Sequence, residues 1–276
     1  VLKIGQYPIP KKMVKKLYDS CDEILILEEG YPIMEELLKG MLNLGKTIKG
    51  RLDGTVPRDG ELNPTIVSKA LGLNAKSGYP VPEIVASRPP ALCKGCPHND
   101  TYLAINEALK DYSKGRVFSD IGCYTLGALP PLESINTCVD MGASITMAKG
   151  AADAGLTPSI AVIGDSTFTH SGITGLIDCV VSQSNVKIFI LDNFTTAMTG
   201  GQPSAALSRI ESICKGVGVN PEHIRVLKPL PKNHEENVKA IKEELAYNGV
   251  SVIIPQRECI VTLNKRMREK FKNKQQ

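Results

Sequence analysis

Two segments near the middle of the 276-residue chain carry residue types that could do chemistry together: Gly164-Asp165-Ser166 and, 25 residues later, Asp192-Asn193. A carboxylate and a carboxamide are hard oxygen ligands. They suit a small cation such as Mg²⁺, which fills its remaining positions with water and phosphate oxygens. The pattern points to a metal-diphosphate site. Each residue also has a plainer use, since an Asp after a strand can cap the following helix and an Asn can hold a turn. The chemical reading gains from the segment just beyond Asn193, Thr195-Thr196-Ala197-Met198-Thr199-Gly200-Gly201-Gln202, a Gly-rich stretch that lets backbone groups approach a bound molecule closely.

For Asp165 and Asn193 to act on one ligand, the chain must bring them to one edge. Residues 159–163 and 186–191 are short apolar runs that read as buried strands. Residues 172–184 have helical length and helical apolar spacing. Strand, helix and strand in this order make a right-handed parallel crossover. Both residues then emerge at carboxyl strand ends, where open parallel sheets bind ligands.

The surrounding pattern extends this unit. Helices are predicted over 100–112, 143–154, 204–217 and 235–247, with strands over 116–119 and 250–254, the last closing the sheet. Such alternation predicts a doubly wound α/β domain with a mostly parallel sheet over 93–262. Residues 1–50 read as part of a preceding α/β domain, with helices over 10–19 and 33–42 and a strand over 24–27. Its remaining strands are expected upstream of Val1, because the chain opens on Val rather than Met. Residues 51–92 read as a Pro- and Gly-rich connector with one short helix over 63–71. Residues 263–276 form a basic tail.

Composition narrows the function classes. Aromatic residues make up 5% of the chain and Trp is absent, which argues against binding by broad aromatic surfaces. The net charge of +4 lies mainly near the two ends, as solvated lysines, so no nucleic-acid partner is expected. No apolar run reaches the roughly 18 residues of a membrane span. The eight cysteines, in a chain of this size without a visible secretion signal, read as reduced thiols or metal ligands, and the location as cytoplasmic. Cys21, Cys138 and Cys179, among apolar neighbours, read as core. His98 and His170, one after a Cys pair and one after Asp165, are candidates for proton transfer.

Several of these segments together resemble a known family. Gly164-Asp165-Ser166, the gap and Asn193 are similar to the thiamine diphosphate signature. Met198-Thr199-Gly200-Gly201-Gln202 is similar to the segment after it in 2-oxoacid:ferredoxin oxidoreductases. Leu92-Cys93-Lys94-Gly95-Cys96-Pro97-His98, Asp120-Ile121-Gly122-Cys123-Tyr124-Thr125-Leu126-Gly127 and Met141-Gly142-Ala143-Ser144 resemble the indolepyruvate branch of that family. The likeness spans about residues 88–259. It implies that Asp165, Asn193 and the Thr195 backbone carbonyl bind Mg²⁺, and that Gly164 and Ser166 lie against the diphosphate. Gly122, Cys123, Tyr124, Met141 and Gly142 would line the same cofactor. Ser166 stands where the signature usually has Gly, a change that still permits a hydroxyl hydrogen bond.

The resemblance also implies oxidative decarboxylation of aryl 2-oxoacids with coenzyme A and ferredoxin. A [4Fe–4S] cluster is implied on Cys93, Cys96 and Cys123, with Cys214 and Cys259 both open as the fourth ligand; thiolates suit such clusters. The activating Glu of the family lies in a pyrimidine-binding domain, and no segment here resembles that domain. A Cys-rich ferredoxin module is not visible either. The chain alone is therefore expected to be inactive, with a second subunit as partner. Two rivals stay open: a non-oxidative thiamine-dependent decarboxylase and a non-catalytic scaffold subunit.

Overall fold

The computed structural model describes residues 1–41, 46–75, 78–86 and 88–273. The chain divides into two compact units, Val1–Ser87 and Arg88–Gln276.

In the first unit, β1 (Glu23–Leu25) and β2 (Thr47–Lys49) pair in parallel, and helices α1 (Lys11–Asp19) and α2 (Ile33–Met41) accompany them. Val14, Tyr18, Ile24, Leu38 and Ile48 form its core. The strand expected over 24–27 is shorter, although the Ile26 amide still bonds to the Lys49 carbonyl at 2.9 Å. β2 was not legible, because three residues are too few to show a period. Leu42, the expected end of α2, lies outside the described residues. Helix α3 (Pro64–Ala70) starts as the sequence predicts, with Asn63 Oδ1 accepting the Ile66 amide at 3.0 Å. Buried Arg51 donates to the Glu28, Pro57 and Gly60 carbonyls, which fixes the following turn.

The second unit is a doubly wound α/β domain. Its strands are β3 (Val117–Ser119), β4 (Thr137–Cys138), β5 (Ser159–Gly164), β6 (Val186–Leu191), β9 (Ile224–Leu227) and β10 (Ser251–Pro255); β7 (Thr195–Thr196) and β8 (Gln202–Pro203) make a separate small hairpin. The sheet order is β4-β3-β5-β6-β10-β9, with every pair parallel. Side chains alternate between two apolar layers, as a sheet covered on both faces requires. Ile160, Val162, Phe189, Leu191 and Ile253 face one core, while Ala161, Ile163, Ile188, Ile190 and Val252 face the other. Helices α4 (Pro97–Ala108) and α9 (His234–Ala246) cover the first layer; α5 (Ala143–Asp153), α7 (Ile173–Val181) and α8 (Ile210–Gly216) cover the second.

The structure corrects the element reading in several places. β10 does not close the sheet: β9 is the edge, and its residues Ile-Arg-Val-Leu, of which only Leu227 is buried, lack the apolar run that marks a buried strand. The segment 204–209 forms turns, so α8 begins six residues late. Helix α4 begins at Pro97, three residues early, with proline at the first helical position where its missing N–H costs nothing. The helix after β5 begins at Asp165 itself, as α6 (Asp165–Thr167), and continues through a π-helical turn at Phe168–Gly172 into α7. Cys179 is core as expected, whereas Cys21 and Cys138 are only half-buried. Helix α10 (Ile260–Asn273) carries most of the basic tail, and residues 274–276 lie outside the described residues. Among the described residues, no helix is long and apolar enough to cross a membrane.

Candidate functional site

A cavity of about 250 Å³ opens at the carboxyl ends of β3, β5 and β6. Asp165, Ser166, Asn193 and Thr195 line it, together with Gly122, Cys123, Tyr124, Met141, Gly164 and His98. Gly142 does not line it but supports it. Its φ of +94° is left-handed, and a Cβ there would lie 2.2 Å from Ser171 Oγ, so only glycine fits this close turn. His170 is exposed and off the cavity.

Asp165 is 3% exposed. Its Oδ1 accepts the Ser166 amide at 2.7 Å, but its buried Oδ2 has no partner among the described residues. Burial raises this carboxyl to about 7, and neighbouring Asp192 adds to the rise. Asp192 is itself raised by burial, although Gln256 Nε2 donates to it at 2.8 Å. Two buried acids beside an unmet oxygen form a place for positive charge. The Asn193 carboxamide is held at both ends: Oδ1 accepts the Thr195 amide at 3.2 Å, and Nδ2 lies 3.3 Å from His98 Nε2. Phe194 between them has a φ of +66°, an uncommon strained state for a bulky residue, and it reverses the chain so that Asn193 and Thr195 both line the cavity. These features fit a divalent cation held by Asp165 and Asn193. The Ser166 and Thr196 hydroxyls, in residues that also line the cavity, bond to each other at 2.7 Å.

Tyr124 forms the floor. Its hydroxyl donates to Asp120, which also accepts the Gly142 amide at 3.0 Å. A Cβ on Gly164 would lie 2.6 Å from the Tyr124 ring, so glycine at the end of β5 lets the ring cross beneath the site. Burial raises the Tyr124 phenol well above its usual range and the Asp120 carboxyl to about 7. His98 is 3% exposed, and burial holds it down to about 4, aided by Arg257, so the imidazole is neutral. Asp120, Thr167 and Thr196 escaped the sequence reading as site residues. Asp120 opens the Asp-Ile-Gly-Cys segment, but nothing in the sequence marks which side chain a buried Asp will meet.

The thiols gather nearby. Cys96 closes a turn on Cys93, with a backbone bond of 3.0 Å, and Cys123 begins a short 3₁₀ turn. Burial raises Cys96 to about 11 and raises Cys123, and the neighbouring Cys93 and Cys259 thiols add to both rises. Cys259 thus joins the group, whereas Cys214 is fully buried in the core on α8. The Cys259 amide bonds to the Asn193 carbonyl at 3.2 Å, which ties this corner to the cavity. Among the described residues, no three His, Cys, Asp or Glu side chains converge as they would on a single ion. Ligands of a multi-atom cluster stand farther apart than that.

A parallel sheet with a cation- and phosphate-suited cavity at its carboxyl edge defines a cofactor-binding α/β domain, and residues 120–254 match the family model described as "Thiamine pyrophosphate enzyme, C-terminal TPP binding domain". The chain is 33% identical, over 99% of its length, to the indolepyruvate oxidoreductase subunit IorA of Archaeoglobus fulgidus, and 35% identical, over 94%, to that of Pyrococcus abyssi. It spans 46% and 45% of those relatives, less than half their length. A 2-oxoglutarate:ferredoxin oxidoreductase from Magnetococcus marinus shares the fold, with a TM-score of 0.52 and 16% identity over 63% of this chain and 66% of that one. The chain belongs to the 2-oxoacid:ferredoxin oxidoreductase family, as its thiamine diphosphate-binding part.

Proposed function

We propose that the chain supplies the cation–diphosphate half of a thiamine site in an enzyme that oxidatively decarboxylates aryl 2-oxoacids of the indolepyruvate type. Coenzyme A would take the acyl group and ferredoxin the electrons, in the cytoplasm. The observation that carries this reading is the unmet, buried Oδ2 of Asp165, a residue that lines the same cavity as Asn193. The curated relatives, named for indolepyruvate, support the substrate class.

Bound thiamine diphosphate supplies a nucleophilic carbon and an electron sink for the pair left by departing CO₂. The protein's part is binding and orientation. Asp165 and Asn193, with the Thr195 carbonyl, would hold Mg²⁺; Gly164 leaves space for Tyr124, and Ser166 and Thr196 offer hydroxyls to the diphosphate. Met141 and Met198, both exposed and at the cavity, would present adaptable apolar surface to the bound molecules. A pyrimidine-binding domain would contribute the activating carboxylate, and a second subunit would complete the enzyme. Cys93, Cys96, Cys123 and Cys259 would hold a [4Fe–4S] cluster, which would supply single-electron transfer and favour the oxidative reading over a simple decarboxylase.

The test is reduction of a low-potential acceptor by the intact protein, supplied anaerobically with thiamine diphosphate, Mg²⁺, coenzyme A and indolepyruvate. Acceptor reduction that depends on every component is expected, with iron and sulfide present in the preparation. No reduction with any aryl or branched 2-oxoacid would sink the proposal, and aldehyde release without an acceptor would mark a non-oxidative decarboxylase.

A further inference from the structure

We propose that His98 is a positioning residue for Asn193: its Nε2 accepts the Asn193 Nδ2–H and so keeps the carboxamide oxygen turned toward the cation. This rests on the metal-diphosphate reading and adds to it a residue outside the ligand set.

A carboxamide has two ends of nearly equal shape. Turned over, Asn193 would present an NH₂ group to the cation and lose it as a ligand. Two contacts oppose that turn. The Thr195 amide needs an acceptor and finds Oδ1 at 3.2 Å, and His98 Nε2 finds Nδ2 at 3.3 Å. In the reversed amide, an N–H would face an N–H at Thr195, and an oxygen would face the lone pair of Nε2. The imidazole therefore carries its proton on Nδ1 and accepts on Nε2.

His98 is fixed well enough for this task. It is the second residue of α4, almost fully buried, with its ring edge-on to Tyr124 at 6.0 Å and 89°. One segment ties α4 to the end of β6. The Arg257 amide donates to the Asp192 carbonyl at 3.1 Å, while the Arg257 guanidinium pairs with Asp100 at 2.7 Å and bonds to the Gly95 carbonyl at 2.8 Å. The histidine and the asparagine are thus held on one frame. Groups that orient a metal ligand from behind typically change metal affinity by about 10–100-fold when removed.

The experiment compares His98→Leu and His98→Gln in the intact protein, measuring thiamine diphosphate binding by calorimetry across Mg²⁺ concentrations. Gln places an oxygen where Nε2 stood and can accept the same N–H, but it cannot carry a proton through a reaction. His98→Leu should raise the Mg²⁺ concentration needed for half-saturation by about 10–100-fold, and His98→Gln should stay near wild type in both binding and turnover. If His98→Leu does not fold, His98→Asn, polar but too short to reach Asn193, takes its place with the same expectation. Equal Mg²⁺ dependence in all proteins would overturn the inference, as would equal loss in Gln and Leu. Normal binding with lost turnover in His98→Gln would assign the residue to proton transfer instead. A wild-type protein that binds no thiamine diphosphate overturns the parent reading, and this inference falls with it.

Discussion

The two ends of the central strands treat buried charge in opposite ways. Lys187, one residue into β6 and fully buried, donates to Asn185 Oδ1 at 2.7 Å and to the Tyr247 and Gly249 carbonyls at 2.6 and 2.7 Å. All three of its N–H groups are used, and burial lowers it to about 8. Asp165, just past the carboxyl end of β5, is almost as deeply buried, yet one oxygen has no hydrogen-bond partner among the described residues. A closed set of partners at the amino end is internal structure. An open one at the carboxyl end suits a coordination shell that a cation completes.

The largest expected effect breaks the closed end. Lys187→Ala strips three part-buried acceptors of their donor, and should lower stability by about 3 kcal/mol in urea unfolding. Cofactor affinity of the folded fraction should not change. A loss under about 1 kcal/mol would mean that water replaces the lysine, and the contrast between the two ends would shrink.

A smaller effect sharpens the open end. Burial raises Asp165 from 3.8 to about 7, so between these values the folded protein binds a proton that the unfolded chain releases. Ligand-free stability should therefore be highest at the acid side of this window and fall as pH rises toward 8. Asp120 and Asp192, also raised by burial, push the same way. Asp165→Asn should flatten the fall by on the order of 1 kcal/mol between pH 5 and 8, measured as the difference between the two proteins' denaturation midpoints. Identical slopes would show that Asp165 ionises freely and is not held in wait for a cation.

How much of the molecule was legible depends on the length of each signal. β5 and β6 are six-residue apolar runs buried on both faces, and the pattern marked them almost to the residue. That Asp165 and Asn193 reach one cavity was legible from their place after those runs. β2, β4 and β9 were hidden, since two to four mixed residues show no period. The turn that makes His170 irrelevant to the cavity depends on where a helix begins, and such boundaries are decided by packing. Asp120 under Tyr124 and His98 against Asn193 are contacts across distant segments, and a single sequence holds no record of them. Cys259, 136 positions after Cys123, stood level with Cys214 in the sequence; its amide bond to the Asn193 carbonyl ties it to the cavity, while Cys214 is buried in the core.

The central claim is that Asp165 anchors a cation on which the diphosphate rests. Calorimetric titration of thiamine diphosphate into the intact protein, with Mg²⁺ and then with the metal chelated, should give binding only with the metal. Asp165→Ala should weaken that binding by about 100-fold or more. Binding that survives chelation, or an Asp165→Ala protein with wild-type affinity, would contradict the account.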